Sequence, residues 1–392
     1  MIYNMKILTI TAEYPPFFVG GITLHTYNLN ISLADLGYEP WVITFHKDSK
    51  VKEYSHTIEK NVNIVRIPRP KTDIEYTYHE MFVAQNKCLK NGLIWMKNKF
   101  NNIFDLITVH GYFLGDAALY AKQEFESLLV YHVHTLFSET ESMENKLIVE
   151  SENNLCKQSN SIISVSEFLK KEIIKKFNIS EDKIVVITKG IKLEEYDHIQ
   201  NQKSKSNIIL NFTGRLSPEK GFETLLEAMG ILTVKYKKIL LYAIGQASNT
   251  QYYDVIKNKI NTLHLEKNIV FLGYKNNDEI IKEYKRSDIS VVPSYAETFG
   301  KVAIESMAAR VPVVVSNVGG LGPIVNDNVN GLLFNVGNSS ELADKIEMLI
   351  LNADLRNTLA ENGYKEVKNN YQWHHILNQT VNEYSRIMEE NL

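Results

Sequence analysis

Short runs of β-branched and apolar residues alternate with amphipathic stretches along the whole chain, and the alternation restarts once near the middle. That rhythm restricts the fold more than any single residue does. A near-continuous apolar run such as Ile289–Val292 suits a parallel strand covered on both faces. Parallel strands need long crossovers, and the helical stretches between the runs supply them. In the first half the expected strands are Lys6–Thr11, Pro40–Phe45, Asn63–Ile67, Leu106–Val109, Leu129–Val133, Ser161–Val165 and Ile184–Thr188. In the second half they are Ile208–Thr213, Lys238–Ile244, Ile269–Leu272, Ile289–Pro293, Val313–Ser316 and Gly331–Phe334, with helical patterns such as Phe222–Met229 and Val302–Ala309 between them. Between Tyr196 and Ser206 a polar stretch without periodicity reads as a linker. The expected architecture is therefore α/β, with two Rossmann-like, doubly wound parallel-sheet domains at residues 1–196 and 207–371. A length of 392 residues agrees, at roughly 100–200 residues per domain. Trp373, Ile376, Leu377, Thr380, Tyr384 and Ile387 recur at helical spacing, and this C-terminal helix, residues 372–392, is expected to cross back and join the first domain.

Composition removes several classes of function. At 44% hydrophobic and 23% charged residues the chain is neither disordered nor a collagen-like repeat. A net charge of −3 argues against a protein that coats nucleic acid. Cys88 and Cys156 form no CxxC motif, which fits a reducing, cytoplasmic setting. The N-terminus lacks a basic segment followed by a long apolar one, and no run reaches the roughly 18 apolar residues of a membrane span. One stripe, Asn86–Phe100, interleaves four lysines with Leu89, Ile94, Trp95, Met96 and Phe100. Such a helix packs on its own domain or lies on anionic lipid. Peripheral contact with the inner face of a membrane is thus one expectation for partners and localisation.

The familiar nucleotide and hydrolase motifs are missing: no GxxxxGK[ST], GxSxG, HExxH or GxGxxG occurs. No Asp-x-Asp pair occurs either, so no metal site and no cofactor are expected. Two clusters carry the chemistry. The first, Thr213–Gly221, follows a strand and precedes a helix, and Arg215 and Lys220 lie across its turn. Two cations there can meet one oxyanion, or be plain surface cations of a solvated turn. The second runs from Pro293 to Glu305. A helix starting near Phe299 or Gly300 presents free N–H groups to an anion, with Glu297 before it and Glu305 inside it. Carboxylates accept hydrogen bonds from vicinal sugar hydroxyls, but they also cap helices and form ion pairs. Together the clusters describe a diphosphate carrying sugars. A Gly20-Gly21 turn after the first strand could bring further amides to it.

Three segments, EYPPFFVGGITLHTYNL, GRLSPEKGFETLLEA and VPSYAETFGKVAIESMAARVPVVVSNVGGLGPIVNDNVNGLLF, resemble the GT-B glycosyltransferases of family 4. The resemblance spans nearly the whole chain, and the Glu-x7-Glu of Glu297 and Glu305 is its most specific element. It implies a retaining, metal-independent enzyme with an interdomain cleft, whose first domain takes the acceptor and whose second binds a nucleotide-sugar, most often a UDP-sugar, as co-substrate. By this resemblance Arg215 and Lys220 hold the diphosphate, Glu297 the transferred sugar and Glu305 the ribose. The main chain of Phe299, Gly300, Lys301 and Val302 holds sugar and phosphates, and Gly21 approaches the diphosphate. Gly273 and Tyr274, with Gly245 beside them, correspond to the region that reads the base. His134 matches a catalytic histidine near the sugar; His110 is expected to line the cleft and His132 to be structural. The acceptor is a hydroxyl of a glycan, a glycolipid or a small molecule, met by residues around Tyr112, Phe113, Phe137, Glu139 and Glu141. The alternative is a sugar-nucleotide-binding GT-B protein without transferase activity. One departure stands out. Where the family commonly has Pro-Asn-Gly-Ile-Asp, this chain reads Thr188-Lys189-Gly190-Ile191-Lys192, and the extra lysine could favour an anionic acceptor.

Overall fold

The parallel ladders expected from the near-continuous apolar runs form in two separate sheets. The computed structural model describes residues 5–17, 20–70, 76–101, 103–137, 143–198 and 206–391. Two compact units emerge, one of Met1–Thr188 with Leu377–Leu392 and one of Lys189–Ile376.

The first unit holds β1 (Lys6–Ile10), β2 (Glu39–Phe45), β3 (Ser55–Glu59), β4 (Val62–Ile67), β5 (Leu106–His110), β6 (Leu128–Val133), β7 (Ser161–Ser164) and β8 (Ile184–Val186). Their order in the sheet is β3-β4-β2-β1-β5-β6-β7-β8. All pairs are parallel except β3 with β4. The central strands β1 and β5 are sealed on both faces, with Ile7, Leu8, Leu106 and Ile107 fully buried. Strand β3, SHTIE, was not foreseen in the sequence. It is a half-exposed edge strand and lacks the apolar run that marks its neighbours. Its signal lies in the turn: Lys60 and Asn61 both have positive φ, 49° and 60°, the geometry of a tight hairpin.

The second unit holds β9 (Ile208–Thr213), β10 (Ile239–Ile244), β11 (Ile269–Gly273), β12 (Ile289–Val292), β13 (Val313–Ser316) and β14 (Leu332–Phe334). Its sheet order, β11-β10-β9-β12-β13-β14, is parallel throughout. Leu210, Phe222, Leu225, Leu241, Val291 and Ile346 belong to its hydrophobic core.

The C-terminal helix Trp373–Glu389 begins in the second unit and from Leu377 onward belongs to the first. There Tyr384 and Glu383 reach the sheet: the Tyr384 hydroxyl lies 2.8 Å from His132 Nε2, and Glu383 accepts from the Ser161 hydroxyl. The polar linker differs from its reading at one end. Leu193–Asp197 is helical, and most of the remainder, residues 199–205, falls outside the described residues. The Gly20-Gly21 pair is not a tight turn either. Gly20 is extended (φ −171°), and Gly21 opens the helix Gly21–Asp35.

The amphipathic stripe is part of the helix Tyr78–Phe100. Leu89, Leu93 and Met96 are buried, and Trp95 stacks on Tyr54 at 5.3 Å with the Lys99 ammonium over the Trp95 ring at 4.6 Å. The tryptophan is thus engaged by its own domain. No helix among the described residues is long and apolar enough to cross a membrane.

Candidate active site

In an open parallel sheet, ligands bind beyond the carboxyl ends of the strands, where the strand order reverses. In the second sheet that point lies between β9 and β12. The loops leaving these two strands are the two charged clusters of the sequence, Thr213–Lys220 and Pro293–Gly300. They interlock. The Tyr295 N–H donates to the Glu219 carbonyl at 2.8 Å, and the Tyr295 and Thr224 hydroxyls meet at 2.9 Å. Gly221 makes the approach possible: with φ +66° it opens the helix Phe222–Lys235, and a Cβ there would sit 1.9 Å from the Pro293 carbonyl oxygen. The neighbouring strand ends are laced in too. Gly214 N–H donates to Ile244, Leu216 N–H to Gln246 and Gly245 N–H to Gly273, each at 2.9 Å.

This frame brings four charged side chains together in two pairs. Lys220 Nζ lies 2.8 Å from Glu297 Oε2, with side chains 28% and 18% exposed. Glu305, on the helix Lys301–Ala308 that Gly300 caps, pairs with Lys301 one turn earlier and accepts a 3.1 Å hydrogen bond from the Tyr284 hydroxyl. Glu305 is buried, and burial together with its charge holds the Tyr284 phenol well above the usual range. The sequence offered the carboxylates as acceptors for sugar hydroxyls or as cap and surface pair; the structure makes both of them ion-pair partners, and the Glu305 pair is internal. Arg215 is placed differently. It is exposed at the mouth of the same loop, and no described contact ties it to Glu297 or Glu305. Phe299 is buried, Val302 lies in the first turn of the helix, and Gly273 ends β11 with Tyr274 55% exposed beyond it.

The first unit has the same central reversal of strand order and an opposite chemistry. Its strand order reverses between β1 and β5, and around that point lie four histidines. His110 ends β5, His132 is in β6, His134 follows it, and His25 comes from the helix Gly21–Asp35. All four are buried. His110 Nδ1 lies 3.1 Å from His134 Nε2, and the His110 and His132 rings stack at 4.3 Å. Burial and the neighbouring imidazoles hold His110 well below the usual histidine range, and burial with His25 does the same for His132, so both are neutral at pH 7. His132 is engaged by Tyr384, the structural role read from the sequence. His25, His110 and His132 form the only metal-capable trio among the described residues, with ligand atoms within 4.8 Å of one another. Tyr112 and Phe113 pack edge-on at 6.0 Å, and Tyr112 contacts Phe137 at 5.5 Å. Glu139 and Glu141 lie outside the described residues.

Sequence reasoning passed over His25. His25 was hidden because its helix carries a buried polar stripe, Thr23, Thr26 and Asn30, instead of an apolar one; that stripe was itself the signal. Lys189 was noticed only as a departure from a pattern. It is half-buried, and the charges of Lys301, Glu297, Lys220 and Glu305 act on it.

Comparison with known proteins agrees with this arrangement. Residues 194–366 match the family described as glycosyl transferases group 1, and residues 19–195 match glycosyltransferase family 4. An uncharacterised glycosyltransferase of Methanocaldococcus jannaschii is 32% identical over 98% of this chain and 99% of its own length. Among solved structures, sucrose-phosphate synthase from Thermosynechococcus elongatus superposes with a TM-score of 0.83 at 20% identity, covering 99% of this chain and 100% of that one. HepE of Anabaena, solved with UDP-glucose, gives 0.78 at 21% identity over 98% and 100%. Two parallel sheets of this topology, the interlocked loops at the second switch point and a relative matched end to end lead to one conclusion: the chain belongs to the group 1 GT-B glycosyltransferases.

Proposed function

We propose that the protein moves a hexosyl group from a nucleoside diphosphate sugar, with UDP-sugars foremost, to a hydroxyl of a glycan, glycolipid or small molecule. Anomeric configuration is retained and no metal takes part. The observation that carries this reading is the Lys220–Glu297 pair at 2.8 Å, set at the strand-order reversal beside the Lys301–Glu305 pair. Two cations and two carboxylates at one helix start suit a ligand that is part phosphate and part polyol. HepE, which shares the fold, was solved with UDP-glucose, and this supports the choice of donor.

The mechanism follows from where charge develops. The bond between the anomeric carbon and the leaving phosphate oxygen breaks, and its electron pair stays on that oxygen. The acceptor oxygen bonds to the same face of the carbon, and its proton passes to the departing phosphate. Lys220, Arg215 and the free N–H groups at the start of the helix Lys301–Ala308 stabilise the growing phosphate charge. Removing one such group typically costs about 10²–10³ in rate. Glu297 then holds hydroxyls of the transferred sugar and Glu305 those of the ribose, each exchanging its lysine for the ligand. An imidazole can accept from or donate to a hydroxyl, and this is the role proposed for His134. Gly21 contributes main chain near the diphosphate, while Gly245, Gly273 and Tyr274 meet the base.

The test has two stages. Nucleotides and nucleotide-sugars are screened for protection against thermal unfolding, since a ligand that binds the folded state alone raises apparent stability. Donor consumption is then followed with candidate acceptors, with and without EDTA. Protection by a nucleoside diphosphate and EDTA-insensitive transfer are expected. A melting temperature that no nucleotide moves would overturn the proposal.

A further inference from the structure

The two carboxylates of the site are already matched. Glu297 holds Lys220 and Glu305 holds Lys301. Lys189 is a third lysine in the same cluster, and among the described residues no carboxylate lies within ion-pair distance of it.

Its position is fixed by the backbone, so it is not a surface lysine that happens to fall nearby. The Ile191 N–H donates to the Tyr371 carbonyl at 2.7 Å, and the Trp373 N–H donates back to the Ile191 carbonyl at 2.8 Å. Gly190 lets the two segments touch: a Cβ there would lie 2.9 Å from the Trp373 Cα. The Tyr371 ring in turn packs edge-on against Phe299 at 6.0 Å, directly before the helix start that carries Lys301. The segment bearing Lys189 is thereby tied to the wall of the charged site. Electrostatically it belongs to the Glu297 and Lys301 side, since those groups, with Lys220 and Glu305, act on it most strongly and Arg215 is not among them.

An ammonium group half-removed from water, repelled by Lys301 and Lys220 and near carboxylates already in use, is costly to keep charged. The arrangement is resolved by an anion that arrives with the ligand. Resting on the donor reading given above, we propose that Lys189 is a specificity-determining cation of this site and binds an oxyanion of the donor, either a phosphate of the diphosphate or a carboxylate on an acidic sugar. A neutral asparagine, common in the family at this place in the chain, cannot neutralise such a group.

The experiment compares wild type with Lys189→Met, which keeps the length of the side chain without its charge, and Lys189→Arg, which restores the charge. Affinities for pyrophosphate, UDP, UDP-glucose and UDP-glucuronate are measured by calorimetry. Weakening of about tenfold or more in Lys189→Met, recovered in Lys189→Arg, is expected. If pyrophosphate, UDP and both sugars weaken together, the oxyanion is a phosphate. If the loss is confined to UDP-glucuronate, it is the sugar carboxylate. Unchanged affinities in a folded Lys189→Met overturn the proposal while leaving the donor reading in place. Wild type that binds none of the four probes removes the donor reading, and this inference with it.

Discussion

Both units of this enzyme are open sheets with a central reversal of strand order, the second parallel throughout and the first parallel except for its β3 edge, yet they place opposite chemistry at that reversal. In the first unit the side chains are four buried imidazoles, with His110 and His132 held neutral. In the second they are lysines and carboxylates, paired and partly exposed. The difference is physical. A group removed from water on all sides stays uncharged, whereas ions persist where partners and residual solvent compensate them.

The sharpest way to break this contrast is Lys220→Ala. It removes the cation that faces Glu297 and should lower turnover about 10²–10³-fold with little change in unfolding temperature. Steady-state transfer assays beside thermal melts check it, and unaltered kinetics would remove the phosphate role. Next in size is Gly221→Ala. The added methyl meets the Pro293 carbonyl and forces an alanine to φ +66°, which separates the interlocked loops. A loss of about 2–4 kcal/mol, or roughly 5–15 °C in melting temperature, is expected for the second unit.

A smaller effect separates the units by pH. His110 and His132 bind protons more weakly folded than unfolded, so their contribution is present above about pH 6.5 and is lost as pH falls below it. Glu152, raised to about 7 chiefly by burial, acts in the opposite sense, because the folded state keeps its proton between the unfolded carboxylate value and pH 7. Two histidines against one glutamate leave a net loss of stability as pH falls below about 6.5. Hydrogen exchange of the β5 and β6 amides should quicken over that range; exchange independent of pH after correction for the intrinsic rate would contradict the neutral cluster.

The smallest effect concerns Lys189, pushed down to about 8 first by burial and then by Lys301. Its folded value is below its unfolded one, so below pH 8 the charged lysine opposes folding, and the opposition fades as pH rises toward the unfolded value. Lys189→Met should therefore be more stable at pH 7 by about 1 kcal/mol, the half-exposed position reducing the full effect. The gain should vanish by about pH 10.5. Melting curves of both proteins at pH 7 and pH 10 test it.

Much of the fold was legible because buried parallel strands leave little room in sequence. Ile289–Val292 and Val313–Ser316 are mostly β-branched apolar residues and are buried on both faces. Ser55–Glu59 escaped because an edge strand needs no apolar run. The loops of the site were legible through Gly221, Gly300 and the charges around them. Their pairing was not, since it depends on which strands lie side by side. Lys220 and Glu297 are 77 residues apart in sequence and touch only because β9 and β12 are neighbours.

The sequence by itself determined that there are two doubly wound sheets, where every described strand but Ser55–Glu59 runs, and which loops carry cations and carboxylates, because apolar periodicity and turn residues act locally. Only the tertiary structure decided that Glu305 is buried with Lys301 and Tyr284, that four histidines share one pocket, and that Lys189 stands among charges already matched. Those outcomes depend on burial and on distances between remote segments. Desolvation and Coulomb energy, which set the chemistry of a charged group, exist only once those distances are fixed.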